Sequence, residues 1–200
     1  MLNFFKRAPT VADWAARHLA ATEREVASRC PYPYLHRAML LAVTTGQRRG
    51  DIIKMRFAED VFDGHLWVIQ EKTGARVAIP LALRCEAIGW SVGDAIDLCR
   101  DGSATPYLLH TAHKAHGLPV NASLLSVRFC RLRETVCGPW SSEGTPPTFH
   151  EQRSLAERLY DAQGIDTRKL LGHRRRSMTD TYNSDRRLRE WVKIPLEPKK

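Results

Sequence analysis

The chain has 200 residues, with 31 Lys and Arg against 22 Asp and Glu, a formal charge of +9 at pH 7, and 43% hydrophobic residues. That length can bury a core without help from disulfides or metal, and the composition excludes a disordered or collagen-like chain. The basic excess favours a polyanionic partner, nucleic acid first. In chain order, Thr10 with Asp13 has the form of a capping box, and the run to Ser28 is rich in helix formers, which predicts a first helix. Pro31 and Pro33 break it. Leu35, Met39, Leu40 and Val43 at helical spacing then predict a core helix over 34–45. Val61-Phe62, the turn pair Asp63-Gly64, the run 65–69, the turn Lys72-Thr73-Gly74 and the run 77–79 predict three short antiparallel strands joined by two tight turns, with Pro80 ending the sheet. Helical patterns resume over 84–99, 123–136, 148–163, 167–171 and 177–183, and 191–196 reads as a last short strand before a basic tail. The fold class expected is α+β, mainly α, with a small sheet packed beside a helical core.

Neither a membrane anchor nor a signal peptide is expected. The longest apolar run falls far short of the ~18 residues of a spanning helix, and Lys6 and Arg7 follow rather than precede the Phe4-Phe5 pair. Five scattered cysteines (Cys30, Cys85, Cys99, Cys130, Cys137), odd in number and without a CxxC, suit free thiols in a reducing cytosol.

Three blocks carry chemistry-bearing residues. Thr44 to Asp51 reads TTGQRRGD, placing Gly46 at a helix end and Arg48 in the turn that follows, either aimed from a rigid support or simply solvated. Phe149 to Leu155 reads FHEQRSL, with His150 and Arg153 three apart in the first turn of a helix. They share a face beside free helix N–H groups, which is an anion-binding arrangement, or they are a surface pair on an amphipathic helix. Leu170 to Tyr182 reads LLGHRRRSMTDTY: two buried leucines, Gly172 ending a short helix, His173 at the turn, and Tyr182 nine residues on among small polar residues. Such a tyrosine has little apolar company, so its hydroxyl is either used or merely exposed.

The blocks, with EKTG (Glu71 to Gly74) between the first and second, resemble the catalytic domain of the tyrosine recombinases and are most similar to the lambdoid phage integrases, over about 34–194. The resemblance implies a site-specific DNA recombinase that cuts and rejoins duplex DNA through a 3′-phosphotyrosine; the alternatives are DNA relaxation of the type IB topoisomerase kind, which shares the chemistry, and a DNA-binding module or directionality factor without catalysis, which the complete set of catalytic residue types disfavours. Arg48 and Arg153 would be its two arginines, Lys72 the hairpin lysine, His150 and His173 its histidines, Tyr182 the nucleophile and Asp51 a supporting acid. Every expected position holds its usual residue type. The resemblance further implies a catalytic domain over 1–190, a tail over 191–200 that adds a strand to a sheet in cis or trans, and core-binding and arm-binding domains absent from this chain. It also implies a monomer when free and a homotetramer on attachment-site DNA coupled through the tail. A host DNA-bending protein and an excision factor are further candidate partners, and the location would be the bacterial cytoplasm at the nucleoid.

Physical chemistry fits these roles. Two guanidiniums offer planar donor forks that match phosphate oxygens and keep their charge. A phenol that attacks phosphorus stores the bond energy in a phosphotyrosine, so no ATP is needed, and no carboxylate cluster asks for a metal. No cofactor is expected. His110, His113 and His116 form an HxxHxxH string, but three-residue steps drift around a helix and a loop follows at Gly117-Leu118-Pro119, so it is set aside as a metal site. Arg128, Arg131 and Arg133 on the helix over 123–136 read either as a solvated basic face or as phosphate contacts, and Arg174, Arg175 and Arg176 beside the third block have a similar claim.

Overall fold

A computed structural model describes residues 32–111, 118–137, 146–173 and 191–196; the helices expected over 10–28 and 177–183 lie outside them. In chain order the described elements are α1 (Pro33–Thr45), α2 (Arg49–Ile52), α3 (Phe57–Asp60), β1 (Val61–Phe62), β2 (His65–Ile69), β3 (Arg76–Pro80), β4 (Arg84–Cys85), β5 (Trp90–Ser91), α4 (Val92–Asp97), α5 (Ala122–Cys137), α6 (Glu151–Ala162), α7 (Thr167–Leu170) and β6 (Val192–Lys193). None of the described helices is long and apolar enough to cross a membrane.

The expected core helix is α1. Pro33 opens it where no backbone N–H is required, and all its residues except Pro33 and Arg37 are buried. A helix apolar on nearly every side belongs in the interior, and α1 packs against α4 and α6. Thr44 and Thr45 stay buried because their hydroxyls donate back to the Leu40 and Leu41 carbonyls. His36 is buried in the same helix, and burial, with the charge of Arg37 second, holds its pKa down to about 4. The imidazole is therefore folded in its neutral form. Its stabilising contribution is complete above the ordinary histidine value of 6.5 and is lost as pH falls toward 4. At 1.36 kcal/mol per pH unit this removes about 3 kcal/mol across that interval. Denaturant titrations at both ends should show the loss in the native chain and a smaller one in His36→Gln; equal losses would contradict the assignment.

The three antiparallel strands form as expected, in the register Val61↔Leu66 and His65↔Pro80 through Ile69↔Arg76. Asp63 and Gly64 both have positive φ, the requirement of a two-residue hairpin turn with the twist of its strands. The second connection is not the tight turn expected. It spans 70–75, closed by Gly74 N–H to the Gln70 carbonyl (2.8 Å) and Gln70 N–H to the Ala75 carbonyl (2.9 Å), because the Gln70 side chain is drawn inward. The strand expected near the C-terminus forms as β6, which pairs parallel to β3 of the same chain (Val77↔Val192) and makes the sheet four-stranded, in the order β1-β2-β3-β6. Ile194 is buried in the core, and Trp191 meets Trp67 edge-on at 4.8 Å.

A single helix over 84–99 is incorrect. Arg84–Cys85 and Trp90–Ser91 form a two-stranded hairpin, and the helix begins only at Val92. Gly89, at φ 71, turns the chain. Ser91 and Asp94 then form a full capping box, each side chain accepting from the other residue's backbone N–H. The helix expected over 123–136 forms as α5, started by Asn121, whose Oδ1 accepts from the Ser123 and Leu124 N–H groups.

Candidate active site

Each of the first two blocks is held by the end of a helix. Gly46, at φ 65, caps α1, and a Cβ there would come within 2.9 Å of the Leu171 side chain. The glycine thus permits both the left-handed turn and the close approach of the third block. Arg48 follows as the residue preceding α2, half-buried, and its Nη1 donates to Gln70 Oε1 at 2.9 Å. It is not a solvated loop arginine. Asp51, buried, accepts from the Glu71 N–H through Oδ1 (2.9 Å), which ties α2 to the residue before Lys72; among the described residues its Oδ2 is buried with no hydrogen-bond partner. Lys72 itself is exposed on the 70–75 connection.

The second block opens α6. Glu151 Oε2 accepts from Thr148 N–H and Oγ1–H (3.0 and 2.7 Å), satisfying the entry to the helix. His150 stands exposed immediately before the helix, and Arg153 lies buried one turn on. Arg153 is held by two backbone carbonyls, with Nη1 on Gly46 O and Nη2 on Leu171 O, both at 2.6 Å. Burial, with the like charge of Arg48 next, draws its pKa down to about 10, so it stays charged at neutral pH.

The third block begins with α7, capped by Asp166, whose side chain accepts from Lys169 N–H. Gly172, at φ 62, reverses the chain; a Cβ there would stand 2.9 Å from Gln70 Nε2 and 3.0 Å from the Ala75 Cβ. His173 is thereby delivered to Arg153, its Nε2 lying 3.3 Å from Nη2. The guanidinium can only donate, so Nε2 accepts and the neutral ring carries its proton on Nδ1. Burial, and then the Arg153 charge, lower the His173 pKa from the ordinary value, which favours that form.

Arg48, Arg153 and His173 are therefore brought into one hydrogen-bonded group, which the Lys72 connection joins through Gln70 and α6, starting just after His150, joins through Arg153. Two guanidiniums so close, each fixed by neutral oxygens, form a cationic seat for an anion with two or more oxygens. Tyr182 and Arg174, Arg175 and Arg176 lie outside the described residues, as do His113 and His116.

The basic helix divides. Arg133 is not on a solvated face: it is buried, donating to Pro147 O at 2.8 Å and to Glu134, which anchors the chain ahead of the second block. Arg128 is half-buried over the Tyr32 ring at 4.0 Å and bonded to the Tyr34 hydroxyl; Arg131 is exposed. His110 faces Asp101 (3.0 Å) and Tyr107 O (3.2 Å), engaging both ring nitrogens.

Sequence reasoning missed Gln47 and Gln70, which join the site's parts. Gln47 donates to Thr45 O and Leu170 O and accepts from Gln70 Nε2 (2.8 Å). The available signal was period: Leu66, Val68 and Gln70 lie in one phase of β2 and its extension, so a polar side chain occupies a core-facing position.

The model of the phage integrase family matches residues 16–189. The prophage integrase IntE of Escherichia coli K12 is 50% identical over 167 residues, which is 82% of this chain and 44% of that protein. The solved structure of the lambda integrase catalytic core is similar with a TM-score of 0.67 and 36% identity, covering 84% of this chain and 96% of that one. A lambda integrase tetramer bound to a Holliday junction is similar with the same score and identity, over 83% of this chain and 46% of that one. The chain spans about half the length of the curated relatives it matches.

Proposed function

This chain belongs to the phage integrase family of tyrosine recombinases, and from that membership we propose that it is the catalytic region of a site-specific recombinase acting on duplex DNA. The observation that carries the proposal is the grouping of Arg48, Arg153 and His173 around the Leu171 carbonyl and Gln70. In the proposed reaction Tyr182 Oη attacks a phosphodiester phosphorus as the bond to the 5′ oxygen breaks. The phenol proton passes to a base, assigned to His150, and Lys72 returns a proton to the departing 5′ oxygen. Arg48 and Arg153 hold the non-bridging oxygens as charge grows on them, with His173 donating from its Nδ1–H side. Reversal with a second 5′ hydroxyl rejoins the strand. No nucleotide or metal enters this scheme, since the bond energy is conserved in the phosphotyrosine. Asp51 supports the site by fixing Glu71, the neighbour of Lys72.

We assign 1–190 to the catalytic domain and 191–200 to the tail. The partners proposed are attachment-site DNA and, on it, three further copies of the chain coupled through the tail, with a host DNA-bending protein and an excision factor as accessory partners. The setting proposed is the bacterial cytoplasm at the nucleoid. The exposed Arg131, the half-buried Arg128 and the run Arg174 to Arg176 are assigned to phosphate contacts. A two-site recombination assay run beside plasmid relaxation tests the recombinase reading; relaxation alone would refute it.

The general-acid role has its own test. Lys72→Ala should cleave an ordinary nicked substrate poorly, on the order of 10²-fold slower, and recover on a substrate whose scissile 5′ oxygen is sulfur, because a thiolate leaves without a proton. Arg48 and Arg153 variants should gain little. Equal recovery in all three would remove Lys72 from that role.

A further inference from the structure

We propose that Gln70 is a positioning residue for this reaction, aligning the phosphate clamp and the lysine-bearing connection with the Leu171-Gly172 turn through a single amide. The inference rests on the reaction proposed above. Gln70 is fully buried. Its Oε1 accepts from Arg48 Nη1 (2.9 Å) and from Thr73 Oγ1 (2.7 Å), and its Nε2 donates to Gln47 Oε1 (2.8 Å) and to Leu171 O (3.0 Å). An amide has two acceptor positions and two N–H donors, so every one is used.

The four partners come from three segments: the turn between α1 and α2, which supplies both Gln47 and Arg48, the connection that bears Lys72, and the turn that delivers His173. Leu171 O is shared, receiving Gln70 Nε2 and Arg153 Nη2 together. The two arginines are thus linked as Arg48, Gln70, Leu171 O and Arg153, with neutral groups between like charges. A charged residue at position 70 could not serve both sides: a carboxylate would face the Leu171 carbonyl and Gln47 Oε1 with no proton to give, and a cation could not accept from Arg48. The packing is as specific as the bonding, since Gly172 is excluded from carrying a side chain by the Gln70 amide itself.

Thr73 sits next to Lys72, and its bond to Gln70 Oε1 fixes the connection from the same oxygen that fixes Arg48. Displacing that oxygen moves the general acid and one arginine together. Errors of about 1 Å in such groups cost on the order of 10²-fold in rate.

The test uses the full chain on a nicked suicide duplex under single turnover, with DNA affinity measured separately. Gln70→Met keeps the volume and removes the amide. It should cleave about 10²-fold more slowly at saturating DNA with affinity within a few-fold of the native chain, and its loss should be much less than multiplicative with that of Arg48→Ala, because both remove the same alignment. Cleavage within a few-fold of native, or fully multiplicative losses, would overturn the inference. If Gln70→Met does not fold, Thr73→Val, at an exposed position, carries the test: its loss on the ordinary substrate should largely vanish on the 5′-thio substrate, and an equal loss on both would overturn the inference. An unmodified chain that forms no adduct overturns the proposed reaction and the inference with it, whereas an active unmodified chain with a fully active Gln70→Met overturns the inference alone.

Discussion

Tyr182→Phe is expected to abolish covalent attachment of the chain to DNA while leaving phosphate binding nearly unchanged. Only the hydroxyl oxygen can attack phosphorus, whereas the two guanidiniums that form the cationic seat are held by Gln70, Gly46 O and Leu171 O, groups the substitution leaves in place. The other tyrosine that a nucleophile search would reach first is Tyr160, and it is unsuited. It is fully buried, its hydroxyl donates to Thr44 O at 2.7 Å, and burial holds its pKa well above the ordinary phenol value. A denaturing gel that resolves protein–DNA adducts, beside a filter-binding titration, separates the two effects. An adduct that survives in the phenylalanine variant would contradict the assignment of Tyr182.

Arg153→Lys should be severely impaired although the charge is kept. The native guanidinium spans two carbonyls, Gly46 O and Leu171 O, and still faces His173. An ammonium on a flexible stem cannot reproduce that fork, and losing an aligned transition-state donor costs on the order of 10²-fold or more. A carbonyl left buried without its donor adds a stability loss of about 1–3 kcal/mol. Single-turnover cleavage and urea denaturation of the same preparation check both parts. Near-native cleavage would mean that charge alone suffices at this position.

Much of the framework was legible from periodicity and punctuation. The core helix at 33–45, the three antiparallel strands and the helices at 122–137 and 151–162 carry long or clearly bounded patterns, and each formed close to its expected limits. The segment 84–91 misled because Cys85, Glu86, Ala87 and Ile88 suit a helix locally. The outcome was decided by Gly89 in the left-handed region and by the Ser91–Asp94 capping box, which starts a helix eight residues later than expected. For the site, local sequence left Arg48 and Arg153 open between solvated and functional readings. Both proved to be engaged through bonds to segments 22 and 107 residues away. Arg133 shows the opposite outcome: on a helical wheel it joins a basic face, yet Pro147 O claims it from a separate segment. The strand period marks Gln70 as core-facing, but which donors and acceptors the Gln47 and Gln70 amides join depends on segments far apart in the sequence.

Under the proposed reaction this chain forms a covalent phosphotyrosine with DNA at Tyr182. The most direct test is to incubate the unmodified chain with a nicked attachment-site duplex, in excess chelator and without nucleotide, digest the covalent product and identify the modified peptide by mass spectrometry. A DNA 3′-phosphate is expected on the peptide that contains Tyr182. A 5′-phosphate linkage, a different modified residue, or an adduct that forms only when metal or nucleotide is restored would contradict it.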